Sequence, residues 1–154
     1  MASDKVPLSG SYRELPPNAT EISPSSPDES VEVTVVVRRR APLPALGTRA
    51  ARPPSREEFA REYGADPADL EKIEAFARAA GLTVAAMDAA TRSVVLSGTA
   101  AQMEQAFGVK LMAIRSGGQV LRVRTGMIYI PASLEGVIEA VLGLDNRPAA
   151  GSRA

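Results

Sequence analysis

Apolar and polar positions change their period several times along these 154 residues, and each change marks an element. Val31, Val33, Val35 and Val37 alternate with Glu32, Thr34 and Val36, a period of two in mostly β-branched residues that predicts a strand over 31–38 with one face buried. From Ser55 the period lengthens to that of a helix. Ser55 and Glu58 have capping-box spacing and open a short helix expected to turn Phe59 and Tyr63 inward and to stop at Gly64. Asp66 then precedes Pro67, a proline at the first helical position, where no N–H is needed. Leu70, Ile73, Phe76, Ala77 and Ala80 form the apolar stripe of that second helix, and Gly81 is its left-handed stop.

Strand character returns over 82–87 and 92–97, two runs joined by Asp88-Ala89-Ala90-Thr91. Thr99 and Gln102 form a second capping box ahead of Met103, Ala106 and Phe107, and Gly108 ends that helix. A further hairpin, 109–115 with 120–124, turns at Gly117-Gly118. Leu134, Val137, Ile138, Val141 and Leu142 have helical spacing and predict a closing helix over Ser133–Leu142, ended by Gly143. The order contains the split βαβ plan and predicts an α+β, ferredoxin-like sandwich: an antiparallel sheet with helices on one face and an extra hairpin. Such a sheet keeps a second, open face. Glu32, Thr34, Val36 and Arg38 would lie on it, with Ala85, Met87, Ser93 and Val95 across, a half-apolar surface without a reason in a solitary monomer.

Composition sharpens this in three places. Residues 1–30 hold Pro7, Pro16, Pro17, Pro24 and Pro27 among serines and acids with no periodic apolar face, and read as a disordered tail. The folded domain is then expected over 31–148, with a loop at Ala41–Pro54 and with 149–154 as the start of a linker to a further domain. The charges balance at 18 basic and 18 acidic residues, which argues against steering toward nucleic acid or an anionic membrane. The apolar run needed for a membrane span is missing, and Met1–Ser11 carries none of signal-peptide length.

Candidate chemistry is sparse. Histidine and cysteine are absent, so a Ser-His-Asp or Cys-His nucleophile and a thiolate or imidazole metal site cannot be built from this chain. Aromatic residues make up 4% and leave the central strands without a base-stacking platform; Tyr129 sits near the sheet margin. Glu57 with Glu58, Asp66 with Asp69, Glu71 with Glu74 and Glu135 with Glu139 are carboxylates at useful spacing, but they fall at helix starts or outward faces with no nucleophile beside them. Ser97-Gly98-Thr99 reads as a cap. Arg38, Arg39, Arg40, Arg49, Arg52 and Arg56 read as a solvated strand end and loop, with an anion patch as the competing reading.

Three stretches in this order carry a resemblance. REEFAREYGADPADLEKIEAFARAAGLTV at 56–84, LSGTAAQMEQAFGVKL at 96–111 and IPASLEGVIEAVLGLDNRP at 130–148 resemble the activation domain of the sedolisin family, the serine-carboxyl peptidases typified by kumamolisin. The resemblance implies a non-catalytic propeptide: a ferredoxin-like domain that chaperones a subtilisin-like peptidase and blocks its cleft until acid-triggered autolytic removal. It implies a cognate peptidase domain as partner, in cis or in trans, with its Ser-Glu-Asp set and its calcium on that domain. Neither a catalytic residue, a metal ligand nor a cofactor is therefore expected on this chain. It also implies a secreted or acid-compartment protein.

A segment entering the cleft would do so in extended form, through Leu144, Asp145, Asn146, Arg147 and Pro148, while Thr34, Val36 and Val95 would meet the partner on the open face. Leu144 has a second reading, as an apolar plug that finishes the fold after the glycine stop. The alternative for the whole chain is a free-standing ferredoxin-like regulatory module that dimerises through its open sheet.

Overall fold

The computed structural model describes residues 5–17, 19–41 and 55–146. In chain order the elements are β1 (Lys5–Pro7), β2 (Thr20–Pro24), β3 (Ser30–Val37), α1 (Arg56–Tyr63), α2 (Pro67–Ala79), β4 (Thr83–Asp88) and β5 (Ser93–Thr99). There follow α3 (Ala100–Phe107), β6 (Lys110–Ser116), β7 (Gln119–Thr125), β8 (Tyr129–Pro131), a 3-10 turn (Ala132–Leu134) and β9 (Ile138–Leu142). The principal sheet runs β4-β5-β3-β9, antiparallel throughout. Counted among themselves, these strands stand in the order second, third, first, fourth, which is the ferredoxin-like arrangement expected from the sequence. The segment between α3 and the fourth strand is enlarged by β6, β7 and β8.

Helix entry follows the local chemistry read above. Ser55 and Glu58 bond reciprocally, at 2.8 Å from the Ser55 N–H to the carboxylate and 3.1 Å from the Glu58 N–H to Oγ. Donation from the Ser55 backbone N–H, and then from its side chain, holds the Glu58 carboxyl below its usual range. Asp66 accepts from the Ala68 N–H at 2.9 Å, with Pro67 at the start of α2, and Thr99 with Gln102 closes a complete capping box on α3. The apolar stripes of α2 and α3 then bury one sheet face. Val31, Val33, Val35 and Val37 of β3, with Val94 and Leu96 of β5, lie beneath Leu70, Ile73 and Ala77 of α2 and Met103, Ala106 and Phe107 of α3. Phe76 and Phe107 meet edge to face at 5.6 Å and tie the helices together.

The closing helix expected over Ser133–Leu142 is not formed; the fourth strand stands in its place. Leu134 ends a single 3-10 turn, Gly136 takes φ 82, and Ile138–Leu142 pairs with β3, Thr34 opposite Leu142 and Val35 opposite Val141. Leu134, Val137, Ile138 and Val141 are buried, but Leu142, the fifth member of the expected stripe, is 56% exposed, as the period of a strand requires. Without β9 one edge of β3 would keep unmet backbone groups beside a buried core, and the ladder outweighs the weak helical preference of Val and Ile.

The second departure is at the N-terminus. The disordered tail expected over 1–30 does not describe residues 5–17 and 19–30. β1 pairs with β8, β2 pairs with β6, and Arg13 bridges Gly126. Leu8 and Ser11 are buried, and the Ser11 hydroxyl accepts from the Ile128 N–H at 2.9 Å. Lys5 Nζ donates to the carbonyls of Gln105 and Ala106 at 2.6 and 3.0 Å, a cation at the negative end of α3, although burial pushes its pKa down. Such anchors are single residues with no period. They gain stability from a surface that the rest of the chain has already built.

Leu8→Ala is accordingly expected to cost about 2–5 kcal/mol in urea unfolding, as for other buried leucines. Tyr12→Ala, at an exposed position, should stay within about 0.5 kcal/mol. Equal, negligible effects would restore the picture of an unattached tail.

Candidate functional site: the open sheet face and the exit segment

The face of the principal sheet turned away from the helices carries one continuous row across all four strands. Ala86 pairs with Val95, Val95 with Thr34, and Thr34 with Leu142. Beside it, Asp88, Ser93, Val36 and Ala140 form a second row. Thr34, Val36 and Val95 are half-buried only by their neighbours in the sheet, whereas Leu142 is 56% exposed. The three open-face residues singled out from the sequence are thus brought together on adjacent strands.

Met87 is not with them. β4 slips register between Val84 and Ala86, so Met87 stands opposite the buried Val94, on the helix side. A one-residue bulge moves every later side chain to the other face. Ala86 takes the open-face place expected for Ala85 and Met87. Nothing in the alternation of Thr83–Asp88 announces the bulge.

The exit segment after β9 was read in two ways, and the structure places its described residues against the domain. Gly143 takes φ 104 and passes the β3 backbone so closely that a Cβ there would lie 2.7 Å from the Glu32 carbonyl oxygen. Leu144 is 1% exposed and belongs to the core. Asp145 Oδ2 accepts from the Arg124 N–H at 3.2 Å. Asn146 Oδ1 accepts from the Arg122 N–H at 2.7 Å, and the Asn146 N–H donates to the Arg122 carbonyl at 2.8 Å. Arg147 and Pro148, the other candidates of this segment, lie outside the described residues, as do 149–154.

Several of the remaining polar candidates have structural partners. Asp69, 3% exposed, takes a forked pair of bonds from Arg38 at 2.8 and 3.2 Å, which holds the Arg38 guanidinium above its ordinary pKa. Glu74 bridges to Arg78 and Glu139 to Arg92. Arg40 donates to the Arg61 carbonyl at 3.1 Å; Arg49 and Arg52 lie outside the described residues. Among the described residues no group of three acidic side chains comes together as a metal site. No described helix is long and apolar enough to cross a membrane. A groove of about 460 Å³ between α2 and the 3-10 turn is lined by Lys72, Phe76, Pro131, Ser133 and Leu134 among others; its described lining holds a lysine and a serine but no carboxylate.

What this arrangement offers is recognition: a partly apolar sheet face beside a segment, Gly143–Asn146, that is held against the domain. Comparison with known proteins agrees in kind. The family described as "Pro-kumamolisin, activation domain" matches residues 17–147. Kumamolisin of Bacillus sp. (strain MN-32) is 37% identical over 152 residues, which take in 93% of this chain and 28% of that protein. Tripeptidyl-peptidase sed5 of Aspergillus fumigatus is 30% identical over 167 residues, again 92% of this chain and 28% of that protein. The chain therefore spans about 28% of the length of the relatives it matches.

The geometry at Gly143 yields a comparison of two glycines with positive φ. Gly136→Ala should cost about 1–2 kcal/mol from its left-handed backbone alone, since nothing lies within 4 Å of the added methyl. Gly143→Ala meets the β3 backbone as well and should cost clearly more in the same denaturant titration. Equal costs would mean that the exit segment is not held against β3.

Proposed function

This chain belongs to the pro-kumamolisin activation domain family, the non-catalytic propeptide part of kumamolisin-like peptidase precursors, and on that premise we propose that it binds and restrains a sedolisin-type peptidase domain. In this reading the open sheet face docks on the surface of the peptidase, and the chain beyond Asn146 runs into the substrate cleft. The same docked domain serves as a template on which the peptidase folds. Acid then triggers autolytic removal.

The observation that carries the reading is the row Ala86, Val95, Thr34 and Leu142. It crosses four strands, ends in a leucine that is 56% exposed, and lies on the face away from the helices that bury the other side. Exposed apolar surface of this kind marks an interaction site, and flat apolar sheet accepts the apolar stripe of a helix. Thr34, Val36, Val95 and Leu142 are the proposed contacts there. The segment Leu144–Asn146, bonded to β7, serves in this account to launch the cleft-entering chain, and Arg147 and Pro148 are proposed to follow into the cleft. The calcium implied by the family belongs, in this reading, to the peptidase domain.

Histidine is absent, so an acid switch has to use carboxylates, whose ordinary pKa values lie near ~4. A carboxylate paired with a cation of the peptidase has its pKa depressed in the complex. Binding is then full above the free pKa and is lost as pH falls through the bound one.

Mature kumamolisin, freed of its own propeptide after folding, is the target for a direct test. The 154-residue chain is expected to inhibit its hydrolysis of a peptide substrate near neutral pH, and the inhibition should weaken as the pH is taken through ~4. Leu142→Lys should raise the inhibition constant at least about tenfold without changing the circular dichroism of the domain. No inhibition at a hundredfold molar excess of chain, together with self-association through the same face, would favour a dimerisation module instead. Equal potency at all pH values would remove the acid-release step alone.

A further inference from the structure

The Arg122 side chain lies where three parts of the chain converge. Its Nε donates to the Leu144 carbonyl at 2.9 Å and its Nη2 to the Gly143 carbonyl at 2.9 Å, a fork on two successive peptide groups of the exit segment. Its Nη1 donates to Glu29 Oε2 at 2.8 Å, immediately before β3 begins. The side chain is only 13% exposed. All three nitrogens of the guanidinium are thus engaged, each by an oxygen acceptor that a planar fork can reach and a single ammonium cannot. Backbone and side-chain bonds from Asn146 to Arg122 extend the same contact by one turn of chain.

We propose that Arg122 is a positioning residue: a clamp that fixes the direction in which the chain leaves the domain, and through it the effectiveness of the segment that follows. The inference deepens the function proposed above and rests on it. Burial of Leu144 and the glycine contact at Gly143 hold the beginning of the exit segment, but neither orients the peptide groups after it. The two carbonyls on the Arg122 side chain do, together with the Asn146 bonds to the Arg122 backbone and the Asp145 carboxylate on the Arg124 N–H. Glu29 orients the guanidinium in turn, so the start of the central strand and the end of the last one are joined through one cation. A chain already held in one direction at its point of departure loses less freedom when it enters a cleft, which strengthens binding without any new contact.

The test compares the wild-type 154-residue chain with Arg122→Gln, Arg122→Lys and Glu29→Gln, in two measurements. Amide exchange at Asn146, followed by NMR on the isolated chain, reads the clamp without any peptidase. It is expected to quicken about tenfold or more in Arg122→Gln and in Arg122→Lys, which keeps the charge and loses the fork, and by less in Glu29→Gln. Inhibition of mature kumamolisin reads the consequence, and the inhibition constant should rise about tenfold in both Arg122 variants.

Unchanged exchange at Asn146 would overturn the clamp. Faster exchange with an unchanged inhibition constant would overturn the positioning role, and full rescue by lysine would reduce it to a charge effect and overturn the fork. Should Arg122→Gln fail to fold, Arg122→Lys and Glu29→Gln carry the same comparison. If the wild-type chain does not inhibit at all, the proposed function fails and the positioning role with it, while the exchange measurement still decides the clamp.

Discussion

Everything in this domain depends on the one-sided burial of β3. Its four odd-numbered valines are at most 1% exposed, and both of its edges are hydrogen-bonded, to β5 on one side and β9 on the other. A strand fixed on one face and at both edges has no freedom of register, because a slip of one residue would exchange the buried valines for Glu32, Thr34 and Val36. The helices α2 and α3 satisfy the buried face. Among the described residues no helix covers the opposite face, and its composition is set by what is left over: Thr34 and Val36 in the middle, with Val95 and Leu142 on either side. The recognition surface is in this sense the reverse side of the core.

The same constraint brings the chain's exit to its place. β9 must lie along β3, so the chain leaves the sheet beside β3 and crosses it at Gly143, where only a glycine fits. Leu144 then returns to the core, and Arg122 and Arg124 on β7 receive the next residues. Charged groups here serve geometry. Asp69 on Arg38 and Glu29 on Arg122 are each spent on joining elements distant in sequence, which leaves recognition as the function that the arrangement supports.

Much of this was legible from local pattern. The β3 alternation, both capping boxes, the glycine turn at Gly117-Gly118 and the three open-face residues Thr34, Val36 and Val95 lie where short-range chemistry puts them, because caps and tight turns involve residues only a few positions apart. What stayed hidden depends on distant partners. Val137, Ile138 and Val141 fit a helical stripe as well as they fit a strand beside a buried β3, and only the vacant edge of β3 decides between them. The anchors Lys5, Leu8 and Ser11 have no period, and the β4 bulge that turns Met87 inward has no residue signature. Arg122 and Arg124 carry no local signal beyond their place in a hairpin strand. Their role needed the coordinates of Gly143–Asn146, which no spacing in the sequence brings near.

The central claim is that the open sheet face, and not the helix side, meets a peptidase. Hydroxyl-radical footprinting of the chain alone and with excess mature kumamolisin tests it most directly, because Leu142 is exposed on one side and Lys72 and Phe76 line the groove on the other. The account predicts strong protection of Leu142 in the complex, with Phe76 oxidised as in the free chain. Protection at Phe76 with Leu142 still open to oxidation would contradict it.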